Sequence, residues 1–123
     1  MSSNKHVVIV EDNEDLANAL KETLSERGFQ VTLALDGESG LELIKNEKPQ
    51  LLVLDTILPG MSGLDLLDGL IEYRKQNELK IIMLSNVDKP EELSRARTYD
   101  IDEYLVKTEW RMEDVIDKIK KYL

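Results

Sequence analysis

The 123-residue sequence contains no cysteine, which excludes a disulfide framework and a thiolate metal site. A cysteine-free chain fits a reducing compartment. Positive charge is also scarce: 16 basic residues face 25 acidic ones, for a net charge of −9. Direct binding to nucleic acid is therefore not expected, because affinity for phosphate backbones comes from counterion release by Lys and Arg. No apolar run approaches bilayer length, and the apolar part of MSSNKHVVIV is too short for a signal peptide. No internal repeat, low-complexity tract or linker interrupts the chain, and no G-x-x-x-x-G-K nucleotide loop occurs. These absences lead to an acidic, cytoplasmic chain without membrane contact, whose length suits one domain over residues 1–123.

What the sequence does contain is an alternation of short apolar runs with longer amphipathic ones. Val7–Val10, Leu51–Leu54 and Ile81–Leu84 are continuous and partly β-branched, as strands buried on both faces of a parallel sheet require. Two weaker strands fit Phe29–Leu33 and Glu103–Val106. Between them the period is helical. Leu16, Ala17, Leu20 and Leu24 share one face, with Gly28 placed as a C-terminal cap. Leu41 and Ile44 anchor a second helix from about Asp36 to before Pro49. Ser62 and Asp65 form a capping-box pattern for a third, with Leu64, Leu67 and Ile71 inward. Pro90 suits the first turn of a polar fourth helix running to about Tyr99. Met112, Val115, Ile116, Ile119 and Leu123 make the stripe of the last. Five β-α repeats predict a doubly wound α/β fold with right-handed crossovers. Its ligands belong beyond the carboxyl ends of the strands.

Those ends carry the chemistry. VVIVEDNEDLA sets four acidic residues, Glu11, Asp12, Glu14 and Asp15, directly after a buried strand, where repulsion and desolvation oppose them. LLVLD ends at Asp55, IIMLS at Ser85 and YLVK at Lys107. A divalent cation would hold Glu11, Asp12 and Asp55 together, and few carboxylates with open water positions suit Mg²⁺. A metal held this way wants a phosphate. Asp55 could then act as a nucleophile that forms an acyl phosphate, with Lys107 pairing with the phosphoryl oxygens and Ser85 donating a hydrogen bond. Plainer readings exist at each position: Asp12 and Asn13 fit a helix cap, Ser85 a loop start, Lys107 a solvated charge. Asp55 resists one best, following four apolar residues of a buried strand.

The acidic pair Glu11–Asp12, LLVLDTILPGMSG around Asp55, Ser85 after IIML and Lys107 in DEYLVK resemble the receiver domain of response regulators in two-component signalling. The resemblance runs from VVIVED to the last helix. It implies a flavodoxin-like (βα)5 sheet with strand order 2-1-3-4-5. Asp55 would take a phosphoryl group from a histidine kinase or phosphotransfer protein. Mg²⁺ would be held by Glu11, Asp12, Asp55 and the backbone carbonyl of Ile57. Ser85 and Tyr104 would form the switch, changing the surface built by the fourth helix, fifth strand and last helix and so the affinity for a downstream protein partner. That is a signalling switch rather than an enzyme, with only self-phosphorylation and autodephosphorylation as chemistry. A phosphorylation-dependent dimer stays open.

The sequence departs from the family in places. Thr108, not proline, follows Lys107, so a cis bond there is disfavoured, and Thr108 is a candidate cap for the last helix. Asp100 stands where glycine is common, so its loop is a candidate for a different course. Apolar Ile57 and Val87 would hinder water and lengthen an acyl phosphate's life. His6 reads as a strand-edge residue rather than a phosphocarrier. Trp110 fits either packing at the last helix or a partner surface, and Lys118, Lys120 and Lys121 complement that helix's dipole. With nothing after Leu123, the expectation is action through protein contacts. The alternative is a non-phosphorylated adaptor with the same fold. A flavodoxin-like enzyme is disfavoured because EDNED would repel a flavin phosphate, and an Asp-nucleophile phosphatase because Ile57 stands where a second Asp is needed.

Overall fold

Strands form where aliphatic residues run uninterrupted, and how deeply each is buried follows from its place in the sheet. The computed structural model describes residues 5–86 and 90–123. β1 (His6–Val10) and β3 (Leu51–Asp55) are buried throughout, and β4 (Lys80–Ser85) from Ile81 onward. β2 (Gln30–Ala34) and β5 (Glu103–Val106) are only partly buried. All pairings are parallel in the order β2-β1-β3-β4-β5, so the two weaker strands are the sheet edges. This is the expected doubly wound α/β fold with its flavodoxin-like strand order.

Helices cover both faces, so side chains alternate along each strand into two separate cores. Val8, Val10, Leu52, Leu54, Ile81 and Met83 point to one face. α2 (Gly37–Glu47), α3 (Gly63–Gly69) and α5 (Pro90–Arg97) cover that face with Ile44, Leu66, Leu67 and Ala96. Val7, Ile9, Val53, Leu84 and Leu105 point to the other. There α1 (Glu14–Glu26) and α6 (Met112–Lys121) supply Leu20, Leu24, Val115, Ile116 and Ile119. The C-cap of α1 is Arg27, and Gly28 follows at φ +93°, the left-handed region that glycine enters without a Cβ penalty. Among the described residues no helix is long and apolar enough to cross a membrane.

The expected third helix is two. The Ser62–Asp65 capping box opens α3, but the segment turns at Leu70, whose N–H reaches back only three residues to Leu67 O at 3.0 Å, and α4 (Ile71–Gln76) follows. Gly69 is a weak helix former that also lets Leu41 of α2 approach closely, with a Cβ there falling 3.0 Å from Leu41 Cδ2. The turn carries Ile71 outward, 46% exposed, while Leu66 and Leu70 are buried beside Leu64 and Leu67, correcting the expected inward set.

Two further expectations change. Thr108 does not cap the last helix: it lies inside a 3-10 turn (Lys107–Glu109), and α6 begins at Met112 after Arg111, whose N–H donates to Asp114 Oδ2 at 3.4 Å. The Lys107–Thr108 bond is trans. Asp100 adopts φ +57°, so an aspartate takes the left-handed conformation glycine would supply, and the loop keeps that course. Arg74 secures it by donating to the carbonyls of Tyr99 and Asp100.

The split of the third helix is testable by paired truncation. Leu70→Ala should destabilise the protein by about 2–5 kcal/mol through the cavity it leaves, whereas Ile71→Ala should cost less than about 1 kcal/mol. Urea unfolding of both variants checks this, and equal losses would contradict the break at Leu70.

Candidate functional site

Strand alternation decides which residues meet at the carboxyl rim. Glu11, Asp55 and Lys107 each lie two residues beyond a side chain of the α1/α6 face, namely Ile9, Val53 and Leu105. All three therefore emerge on that same face. Lys107 Nζ donates to Glu11 Oε1 at 2.6 Å and to Asp55 Oδ2 at 3.3 Å. Asp12 joins from the exposed side, and one carboxylate oxygen each from Glu11, Asp12 and Asp55 lies within 4.8 Å of the others. The α1 cap falls to Asn13, whose Oδ1 accepts from Leu16 N at 3.2 Å, so the helix does not require Asp12 for it.

Glu11 is 1% exposed and Asp55 3%, so two carboxyls share a buried setting with one ammonium. Burial pushes the Glu11 carboxyl up to about 7; the Lys107 hydrogen bond opposes this, nearby Asp55 adds to it, and the Asn13 N–H opposes it. One positive charge for two buried negatives leaves the cluster short of cation. The donor set is all oxygen, which suits a hard divalent ion. Ligands around an octahedral Mg²⁺ lie about 3–4 Å apart, so the three carboxylates fit around one such ion after a small closure.

Ser85 arrives out of phase with this group. It lies two residues beyond Met83, on the α2/α3/α5 face, and so does Thr56, two beyond Leu54. Both are buried, and Thr56 Oγ1 donates to Ser85 Oγ at 3.1 Å. Sequence reasoning passed over Thr56; the signal available was a hydroxyl directly after a buried strand, on the opposite face from its acidic neighbour. Thr56 is held by its backbone too, donating to Leu84 O at 3.2 Å and accepting from Gly63 N at 2.9 Å. Gly63 must be glycine for this approach, since a Cβ would sit 2.3 Å from Asp55 O. Ile57 N donates to Asp55 Oδ1 at 3.3 Å, and the Ile57 side chain is 57% exposed. Val87 lies outside the described residues.

The model for the response regulator receiver domain matches residues 7–120. The chain belongs to this family. Among solved structures, this receiver is similar to a CheY-like response regulator receiver domain protein from Methanospirillum hungatei JF-1, at 29% identity and TM-score 0.88, covering 97% of this chain and 93% of that one. It is also similar to the response regulator protein TrrA from Thermotoga maritima, solved in complex with Mg²⁺-BeF: 30% identity, TM-score 0.80, covering 97% and 99%. A DNA-binding response regulator of the LuxR family from Staphylococcus aureus matches at 27% identity and TM-score 0.84, covering 96% and 98%. Receiver domains are signalling domains and generally not enzymes.

Elsewhere in the receiver, Tyr104 is half-buried against the core beneath α5 and lines a groove with Leu93, Arg97, Ile101 and Trp110. Trp110 packs on the α1/α6 core with Lys118 Nζ 5.4 Å from its ring centroid. Lys118 also pairs with Glu103 at 3.6 Å, so it is more than a solvated dipole charge. His6 is buried rather than an edge residue, because β1 is flanked by β2 and β3; its Nε2 lies 2.9 Å from Thr32 Oγ1 and 3.0 Å from Glu47 Oε1.

The raised Glu11 value has a stability consequence with a definite sign. The folded state holds this proton more tightly than the unfolded chain, so the contribution is complete below about 4.5 and is lost as pH rises through about 7. Urea unfolding at pH 5 and pH 8 should show Glu11 costing wild type about 1–3 kcal/mol across that interval. Glu11→Gln should remove this part of the fall; an unchanged pH slope in the variant would contradict it.

Proposed function

We propose that residues 1–123 act as one phosphorylation-controlled switch, in which Asp55 accepts a phosphoryl group from the phosphohistidine of a kinase or phosphotransfer protein. The observation that carries this reading is a 3%-exposed aspartate at a strand end, with an ammonium 3.3 Å from its oxygen and two further carboxylates beside it. An Asp55 oxygen attacks phosphorus, the phosphorus–nitrogen bond to the donor imidazole breaks, and the imidazole nitrogen takes up a proton. Lys107 moves from its carboxylate partners to the phosphoryl oxygens as a point charge. Glu11, Asp12, Asp55 and the Ile57 carbonyl would hold Mg²⁺, which when bound supplies neutralisation of the charge on the transferring group. That the Thermotoga relative was solved in complex with Mg²⁺-BeF supports Mg²⁺ as the cation here.

Ser85 then donates to the phosphoryl group, and Tyr104, whose hydroxyl is already buried against the core, packs in behind it. This biases the surface formed by α5, β5 and α6 toward a protein partner, or toward a second copy of the chain. Ile57, two residues beyond Asp55 in the chain, presents an apolar side chain where a polar one could guide water, and so lengthens the life of the acyl phosphate.

Intact mass after incubation with acetyl phosphate tests the acceptor. Wild type should gain one Mg²⁺-dependent phosphoryl adduct and Asp55→Asn none. Absence of the adduct in wild type, with acetyl phosphate and with phosphorylated histidine donors alike, would favour the adaptor reading. In the same assay Ile57→Asn should shorten the lifetime of the adduct, and an equal or longer lifetime would count against water exclusion by Ile57.

A further inference from the structure

The hydroxyl bond between Thr56 and Ser85 joins a residue with no assigned role to the one whose movement the switch requires. Asp55 and Ser85 lie at the ends of neighbouring strands but on opposite faces, as register and alternation require. Asp55 pairs with Leu84, whose side chain lies in the α1/α6 core, and Ser85 is the next residue. To reach a phosphoryl group on Asp55, the Ser85 hydroxyl has to leave the face on which Thr56 Oγ1 donates to it at 3.1 Å.

Thr56 is poorly able to follow. Its N–H is held by Leu84 O and its C=O by Gly63 N. Gly63 sits so close beneath that a Cβ there would fall 3.0 Å from Thr56 Cα and 2.3 Å from Asp55 O. The side chain is β-branched, which restricts its rotamer further. Thr56 is 3% exposed and Ser85 0%, so water has little access to replace the bond as it breaks. A donor held by both of its backbone groups therefore faces an acceptor that has to move.

We propose that Thr56 is a positioning residue that latches Ser85 in the resting orientation, setting how rarely the unphosphorylated protein visits the active one. This deepens the phosphoacceptor reading and rests on it. A ligand or reaction that needs the minor state is slowed by the fraction populated, so releasing the latch speeds phosphorylation in proportion. The latch raises the threshold for activation without touching donor, metal or phosphoryl group.

The test follows the rate of the acetyl phosphate reaction with Mg²⁺ by intact mass, for wild type, Thr56→Val, Thr56→Ser, Ser85→Ala and the double variant Thr56→Val/Ser85→Ala. Thr56→Val keeps the branched shape and removes the donor. It should react faster by about fivefold, the factor that the net worth of one hydrogen bond makes in a two-state ratio. Thr56→Ser, which retains the hydroxyl, should restore the wild-type rate. In the Ser85→Ala background Thr56→Val should give no gain, since the partner is gone. A slower or unchanged Thr56→Val overturns the latch, as does the same gain with and without Ser85. Those outcomes leave Asp55 as acceptor intact. No adduct on wild type with any donor removes that reading and the latch with it.

Discussion

A parallel sheet covered on both faces leaves its side chains no freedom about where they point. Each strand alternates between the α1/α6 core and the α2/α3/α5 core, and along the buried central strands β1, β3 and β4 polar groups reach water chiefly past the strand ends. The site inherits that alternation. Glu11, Asp55 and Lys107 are each in phase with one core, and for that reason meet within hydrogen-bonding distance although they lie up to 96 residues apart in the chain.

The same constraint makes the cluster costly. Two carboxyls and one ammonium are carried below the surface by strands whose packing is decided elsewhere, by Ile9, Val53 and Leu105 beneath them. Desolvation then dominates, which is why Glu11 holds its proton to about 7 in spite of a 2.6 Å contact with Lys107. A site built this way gains from an added cation and from a group that gives Lys107 a new anionic partner. Its electrostatic strain and its proposed chemistry have one cause.

The out-of-phase residues form a second system on the far face of β3 and β4. Thr56 and Ser85 share a buried hydroxyl bond, and Tyr104 flanks the same core. In the proposed switch the side chain that changes faces is Ser85, the last residue of β4. The broken helix, the left-handed Asp100 and the carbonyls held by Arg74 order the loops around this face without entering the site.

The local sequence determined much of this by itself. The five strands, their burial, the capping box at Ser62 and the acidic and basic strand ends are short-range patterns of polarity and period, and they were legible residue by residue. The third helix was not. Its apolar period continues through Ile71, and only the approach of Leu41 to Gly69 and the turn at Leu70 show where the helix breaks. His6 looked like an edge residue until β2 and β3 enclosed it. Thr56 carries no motif, and its role comes from Ser85, 29 positions away. Periodicity is a property of neighbours along the chain, whereas a hydrogen bond or a close approach belongs to neighbours in space, and those only the folded sheet brings together.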